Sequence, residues 1–86
     1  MKLQRYWFMF KKIDAMTVLN LGCGVTAYNR DDALRLMNAG PFANGLSPEI
    51  DRCIEGVDVR TLDPNHVRPN MGNPAVRGIW FPLGYT

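Results

Sequence analysis

The chain holds one histidine, His66, and two cysteines, Cys23 and Cys53. An acid–base or nucleophilic system would have to use that imidazole, a carboxylate of shifted pKa, or a thiol. His66 lies between Pro64-Asn65 and Val67-Arg68-Pro69, flanks that place it on a turn and predict a hydrogen-bonded or exposed ring. Cys23 stands among Leu21 and Val25, which predicts burial rather than a reactive thiolate. Thirty residues separate it from Cys53, and neither has a Cys or His neighbour at metal-ligand spacing. Two free thiols and no metal are therefore expected. Asp31 and Asp32 could imitate an acidic ligand pair, but helix capping accounts for both. No paired carboxylates or triad can be read, so no catalytic residue is nominated and the chain is read as non-enzymatic.

One constellation points to recognition instead of catalysis. His66, Arg68, Asn70, Arg77 and Trp80 gather in a segment that is polar yet rich in Pro and Gly and anchored by Ile79, Trp80 and Phe81. Trp and Arg are enriched at protein interfaces and their hot spots. These five residues form the candidate interaction surface.

The elements that must position them follow from periodicity. Tyr6, Phe8 and Phe10 alternate with Trp7 and Met9, which predicts a strand with apolar groups on both faces. Such a strand is covered on both sides, or on one side by another subunit. Residues 11–15 are expected to form the turn. A second strand is expected from Met16 to Tyr28, with Leu19, Leu21, Cys23, Val25 and Ala27 on one face. Gly22 and Gly24 fall on the other face and leave a lane without Cβ atoms, which the ring of Trp7 or Tyr6 would fill. Asn29 is a helix N-cap with Asp32 at the capping-box position. Ala33, Leu34, Leu36 and Met37 make the apolar stripe, and Gly40-Pro41 stops the helix. Ser47-Pro48 reads as the start of a second short helix carrying Ile50, Cys53 and Ile54 and ending at Gly56. Alternation over Val57–Leu62 reads as a third strand. Asp63 to His66 reads as a turn or one turn of 3₁₀ helix, and Gly78–Phe81 could add an edge strand before Pro82.

The expected fold is thus α+β: a small, mainly antiparallel sheet of three or four strands packed against two short helices. The order is β-β-α-α-β, followed by an ordered Pro/Gly-rich tail. Residues 1–86 are read as a single small domain, with residues 63–86 an irregular tail tied to the core or to a partner.

The stretch Val18 to Asn29 resembles the first motif of the S-adenosylmethionine-dependent methyltransferases. There a strand with an acidic residue runs into a Gly-x-Gly-x-Gly turn, and a helix N-terminus follows. Val18, Leu19, Leu21, Gly22, Cys23 and Gly24 match; Asn20 stands in the usual acidic position and Thr26 in that of the third glycine. The resemblance is confined to residues 18–26 and implies an S-adenosylmethionine-binding fragment. That fold needs several βα units and roughly 200 residues. One hydrophobic face at period two explains the same residues and Val25 and Ala27 too, so a strand is expected and no cofactor.

Composition sets the remaining bounds. The 86 residues are 47% hydrophobic and carry a net charge of +2, with a sequence pI near 8.7. That is a globular composition, not a disordered one. The longest basic run is Lys11-Lys12, too short for an electrostatic footprint on nucleic acid or an anionic membrane. The apolar run Tyr6 to Phe10 is too short for a signal-peptide core or a membrane span, so a cytoplasmic protein with no membrane partner is expected. Surplus aromatics and an apolar tail point to a protein-binding or self-associating adaptor module, with a homodimer as the expected assembly. The alternative is single-stranded RNA binding, with Tyr6, Phe8 and Phe10 stacking on bases and Arg5, Lys11, Lys12, Arg60 and Arg77 tracking phosphates.

Overall fold

The computed structural model describes residues 2–11, 17–43 and 49–84. The turn expected over residues 12–15, the start of the second strand at Met16 and the Ser47-Pro48 helix start lie outside the described residues. The architecture is an antiparallel four-stranded sheet with one α-helix on one face and irregular chain on the other. Strand β1 runs Gln4–Phe10, β2 Cys23–Ala27, helix α1 Arg30–Ala39, β3 Ile50–Glu55 and β4 Gly78–Phe81. The strands lie in the order β3-β1-β2-β4.

Alternation along β1 builds two cores. Tyr6 and Phe8 face α1 and join Cys23, Val25, Ala27, Ile79, Ala33 and Met37. Trp7 faces the other way and packs with Trp80, Phe81, Val57, Leu62 and Val67. The two-sided aromatic pattern of β1 is therefore satisfied within the chain. A bulge helps: Gly24 pairs with Phe81 and Val25 with Ile79, so Trp80 is an extra residue on β4. That extra residue lets Trp80 and Phe81, neighbours in sequence, enter the same core.

Three elements differ from the sequence expectation. The predicted second helix is strand β3. Ile50, Cys53 and Ile54 are spaced like a helical stripe, but Cys53 pairs with Phe8 and Ile54 with Trp7, on opposite faces of the sheet. A strand contributing to both cores loses its period of two, and its apolar residues then imitate a helix. The predicted third strand over Val57–Leu62 is a 3₁₀ turn, Val59–Thr61, capped by Asp58. The Asp58 carboxylate accepts the Arg60 N–H (3.0 Å), and the Thr61 hydroxyl donates to the Asp58 carbonyl (2.6 Å). These local bonds outcompete a ladder. The order β-β-α-α-β is thus replaced by β-β-α-β-β, and the helix pair by a single α-helix among the described residues. The second strand is also shorter than expected, because Val18–Asn20 forms a 3₁₀ turn before it.

The edge strand and the helix cap are found where expected. Residues 78–81 form the edge strand β4. Asn29 caps α1, its side chain accepting the Asp32 N–H at 2.8 Å. The Asp32 carboxylate reaches one residue further back than a capping box does, accepting the N–H of Tyr28 (3.1 Å). It also takes the Arg77 guanidinium through Nε (2.9 Å) and a terminal nitrogen. Arg77 lies over the Tyr28 ring, 5.4 Å from its centroid. This buried carboxylate fastens the segment entering β4 to the start of the helix.

The Arg77 hydrogen bonds, followed by the Tyr28 N–H, hold the Asp32 pKa down to about 2. The unfolded chain has an ordinary value of about 3.9. The pair's contribution is therefore complete above that value and is lost as pH falls through it toward 2. Thermal midpoints recorded between neutral pH and strong acid are expected to fall less steeply for Asp32→Asn than for the wild type. Equal slopes would mean that the pair is not formed.

Candidate functional site

Both cysteines are free thiols. Cys23 and Cys53 each pair with Phe8, from opposite sides of β1. Two strand spacings put them about 10 Å apart, beyond the reach of a disulfide. Burial pushes the Cys23 thiol up to about 12, and burial also raises that of Cys53, so neither is a ready nucleophile.

The glycines of the Val18–Asn29 stretch hold rings instead of a ligand. A Cβ on Gly22 would lie 2.5 Å from Trp7 Cζ2, and one on Gly24 would lie 2.3 Å from Trp80 Cζ3. The lane is filled by two indoles, of which the sequence named only Trp7. Gly22 and Gly24 also lie ahead of and inside β2, with the helix only after it, so the strand–glycine turn–helix order of the methyltransferase motif is absent. Among the described residues, no group of three His, Cys, Asp or Glu side chains could hold a metal ion. No described helix is long and apolar enough to cross a membrane.

The five residues singled out for recognition differ in exposure and in what they bond. His66 and Asn70 do meet: the Asn70 amide donates to the His66 carbonyl at 2.9 Å. Arg68 sits exposed between them in the 3₁₀ turn Arg68–Asn70. Asp63 organises this segment, one carboxylate oxygen accepting the N–H groups of Asn65 (2.8 Å) and His66 (3.1 Å). Its other oxygen lies 3.3 Å from His66 Nδ1. Arg77, however, is engaged with Asp32 and Tyr28. Trp80 is only 1% exposed, with its indole N–H donating to Thr26 Oγ1 (3.1 Å). Trp80 is therefore buried against Gly24 and contributes to the second core. Of the rings named for RNA stacking, Tyr6 and Phe8 are buried in the core with α1, and Phe10 is half-buried with its edge against Phe42.

Two neighbouring cavities share Gly56 on their lining. The first, of about 440 Å³, is a groove between the sheet and the 57–67 segment. Its floor is apolar: Trp7, Met9, Leu21, Ile54, Leu62 and Val67. Met9 and Leu21, both on its lining, are large hydrophobics each 39% exposed. Asp58 and Asp63 are the charged residues lining it. Hydrogen bonds from the Arg60 side chain, then its N–H, lower the Asp58 carboxyl to about 2. The N–H groups of Asn65 and His66 lower that of Asp63. Both carboxylates are ionised at neutral pH. Arg60 already neutralises Asp58 through two contacts, at 3.1 and 2.9 Å, so Asp63 carries the greater part of the uncompensated charge.

The second cavity, of about 450 Å³, lies toward the start of β1 and is lined by Lys2, Gln4, Arg5, Gly56, Pro74 and Ala75 among others.

No family model, no curated protein and no solved structure matches the chain. Its site must therefore be judged from its own geometry. The groove residues were not singled out from sequence. The signal for them was the outward apolar face of β1, Trp7 and Met9, whose cover turned out to be incomplete.

Proposed function

We propose that the protein is a non-enzymatic binding module that docks a segment of a partner protein in the groove above Trp7, Met9, Leu21 and Ile54. The observation that carries this reading is the uncovered corner of the second core. Met9 and Leu21 stand partly exposed on the lining of a cavity large enough for an apolar side chain. Contiguous exposed apolar surface of this kind marks interaction sites. The rim selects the partner's chemistry. Its two charged residues are acids, and among the described residues no lysine or arginine forms an ion pair with Asp63. The occupant is therefore an apolar anchor residue, such as leucine or phenylalanine, with a lysine or arginine beside it.

The test uses two short peptides with the same leucine anchor, one flanked by lysines and the other by glutamates. Titrations are followed by the side-chain methyl signals of Met9 and Leu21 and by Trp7 fluorescence. The lysine-flanked peptide is expected to bind saturably and more tightly, with affinity falling as salt rises. Leu21→Lys places a cation in an exposed part of the floor and is expected to abolish binding while leaving the fold intact. No saturable binding, or shifts away from the groove, would overturn the reading. Concentration-dependent broadening of the same methyls without peptide would mean that a second copy fills the groove, and would overturn it as well.

A further inference from the structure

The cavity beside the groove has the opposite electrostatic character. Its charged lining residues are Lys2 and Arg5, and it has no carboxylate. Among the described residues, no acidic side chain forms an ion pair with either. The carboxylate of Asp58 feels the charge of Arg5, but both of its oxygens are held by Arg60. Two cations facing one cleft repel each other unless an anion joins them.

Arg5 is held in place, unlike a free surface arginine. Its Nε–H donates to the Val57 carbonyl at 2.9 Å. Its own carbonyl accepts the N–H groups of Gly56 (2.8 Å) and Val57 (3.3 Å). The backbone and the root of the guanidinium are thus both stitched to the chain leaving β3, and the terminal nitrogens of the fork remain for a ligand. Orienting the fork in advance reduces what is lost on binding. The opposite wall is fixed too. The Thr26 hydroxyl donates to the Pro74 carbonyl (2.5 Å) while accepting the Trp80 indole N–H. The Ala75 N–H is held by Asn73 (2.9 Å). Gly56 leaves the floor open: a Cβ there would meet nothing within 4 Å.

We infer that this cleft binds a phosphate group, with the Arg5 fork and the Lys2 ammonium on its oxygens. Two cations with no carboxylate lining the cleft match a dianion better than a single carboxylate, and a planar fork donates to two phosphate oxygens at once. A cleft of about 450 Å³ exceeds the needs of the free ion, so the phosphate is carried as a monoester. The inference does not depend on the apolar groove, whose probes are uncharged at the anchor and do not require Arg5.

The test is a backbone amide titration with inorganic phosphate, phenyl phosphate and benzoate, each against chloride at matched ionic strength. Saturable shifts are expected at the amides of Gln4, Arg5, Gly56 and Ala75, with phenyl phosphate at least as tight as phosphate and benzoate about tenfold weaker. The deciding variants are at Gly56. Its φ of +66° is the left-handed region that Asn and Asp tolerate better than other residues. Gly56→Asp puts a carboxylate into the cleft and is expected to weaken phosphate binding about tenfold or more; Gly56→Asn, of the same shape, is expected to leave it unchanged. Shifts spread evenly over Arg30, Arg35, Arg60 and Arg68, equal binding of benzoate and phenyl phosphate, or indifference to Gly56→Asp would each overturn the assignment.

Discussion

Trp80→Ala will lower the stability of this protein by about 3–5 kcal/mol, the cost of deleting a fully buried aromatic and leaving its cavity. A chain of this size has about 5–10 kcal/mol in all, so the variant will sit near its unfolding midpoint at ambient temperature. The magnitude follows from position. Trp80 is sealed, stacks with Trp7 at 5.8 Å between ring centroids, and bonds Thr26 through its indole N–H. Thr26 in turn holds Pro74, so the loss reaches the 73–75 turn. Urea unfolding monitored by circular dichroism will register the change as a lower midpoint at an unchanged slope. Trp80→Phe is the milder companion. It retains a ring over Gly24 but loses the bond to Thr26, at about 1–2 kcal/mol. A cost below 1 kcal/mol for the alanine variant would show that the indole is not the centre of the second core.

Gly24→Ala is the second large effect, and it is opposite in kind. The new methyl would lie 2.3 to 2.5 Å from three carbons of the Trp80 ring. A buried indole flanked by Trp7 and Phe81 has nowhere to retreat. Overpacking of this sort costs about 1–3 kcal/mol, and here the upper end is expected. Gly24 has no positive φ, so backbone strain adds nothing and the clash is the whole effect. That makes a double-mutant cycle decisive. In a Trp80→Leu background the methyl finds room, and Gly24→Ala should become nearly neutral. The coupling energy will then account for most of the single-variant cost. Additive losses would mean that glycine is needed there for a reason other than the ring.

These two residues also mark what the sequence disclosed. Glycines alternating on one face of a strand announce that something lies against them, and that inference needs no tertiary information. Which ring fills each gap does need it. Trp7 is near in sequence and could be named, whereas Trp80 reaches Gly24 from 56 residues away. The helix with its Asn29 cap, the aromatic alternation of β1 and the edge strand at residues 78–81 were legible because each signal is local and strong. The segment 50–62 was not. Ile50, Cys53 and Ile54 serve two cores at once, so their spacing imitates a helical stripe, while Val57 to Leu62 alternates by chance around an aspartate-capped turn. The side-chain bonds Asp58 makes to Arg60 were the available signal against a strand. The engagement of two of the recognition residues within the chain was hidden for a related reason. Trp and Arg suggest an interface wherever they occur, but Trp80 is spent on Gly24 and Arg77 on Asp32. The groove escaped notice because an incomplete cover is a property of two segments together.

The two margins of the sheet are protected by different means. On the β4 side the Gly72 N–H bonds the Trp80 carbonyl at 2.7 Å, so part of that flank is occupied by the chain's own loop. On the β3 side there is no such overlay among the described residues, and Asp51, Arg52 and Glu55 stand exposed instead. Were two molecules to meet there antiparallel with Cys53 against Cys53, each Asp51 would confront a Glu55 and the like charges would repel. Ribbon-like growth from molecule to molecule, the usual hazard of an open sheet in crowded solution, is thereby discouraged on one flank by charge and on the other by occupancy.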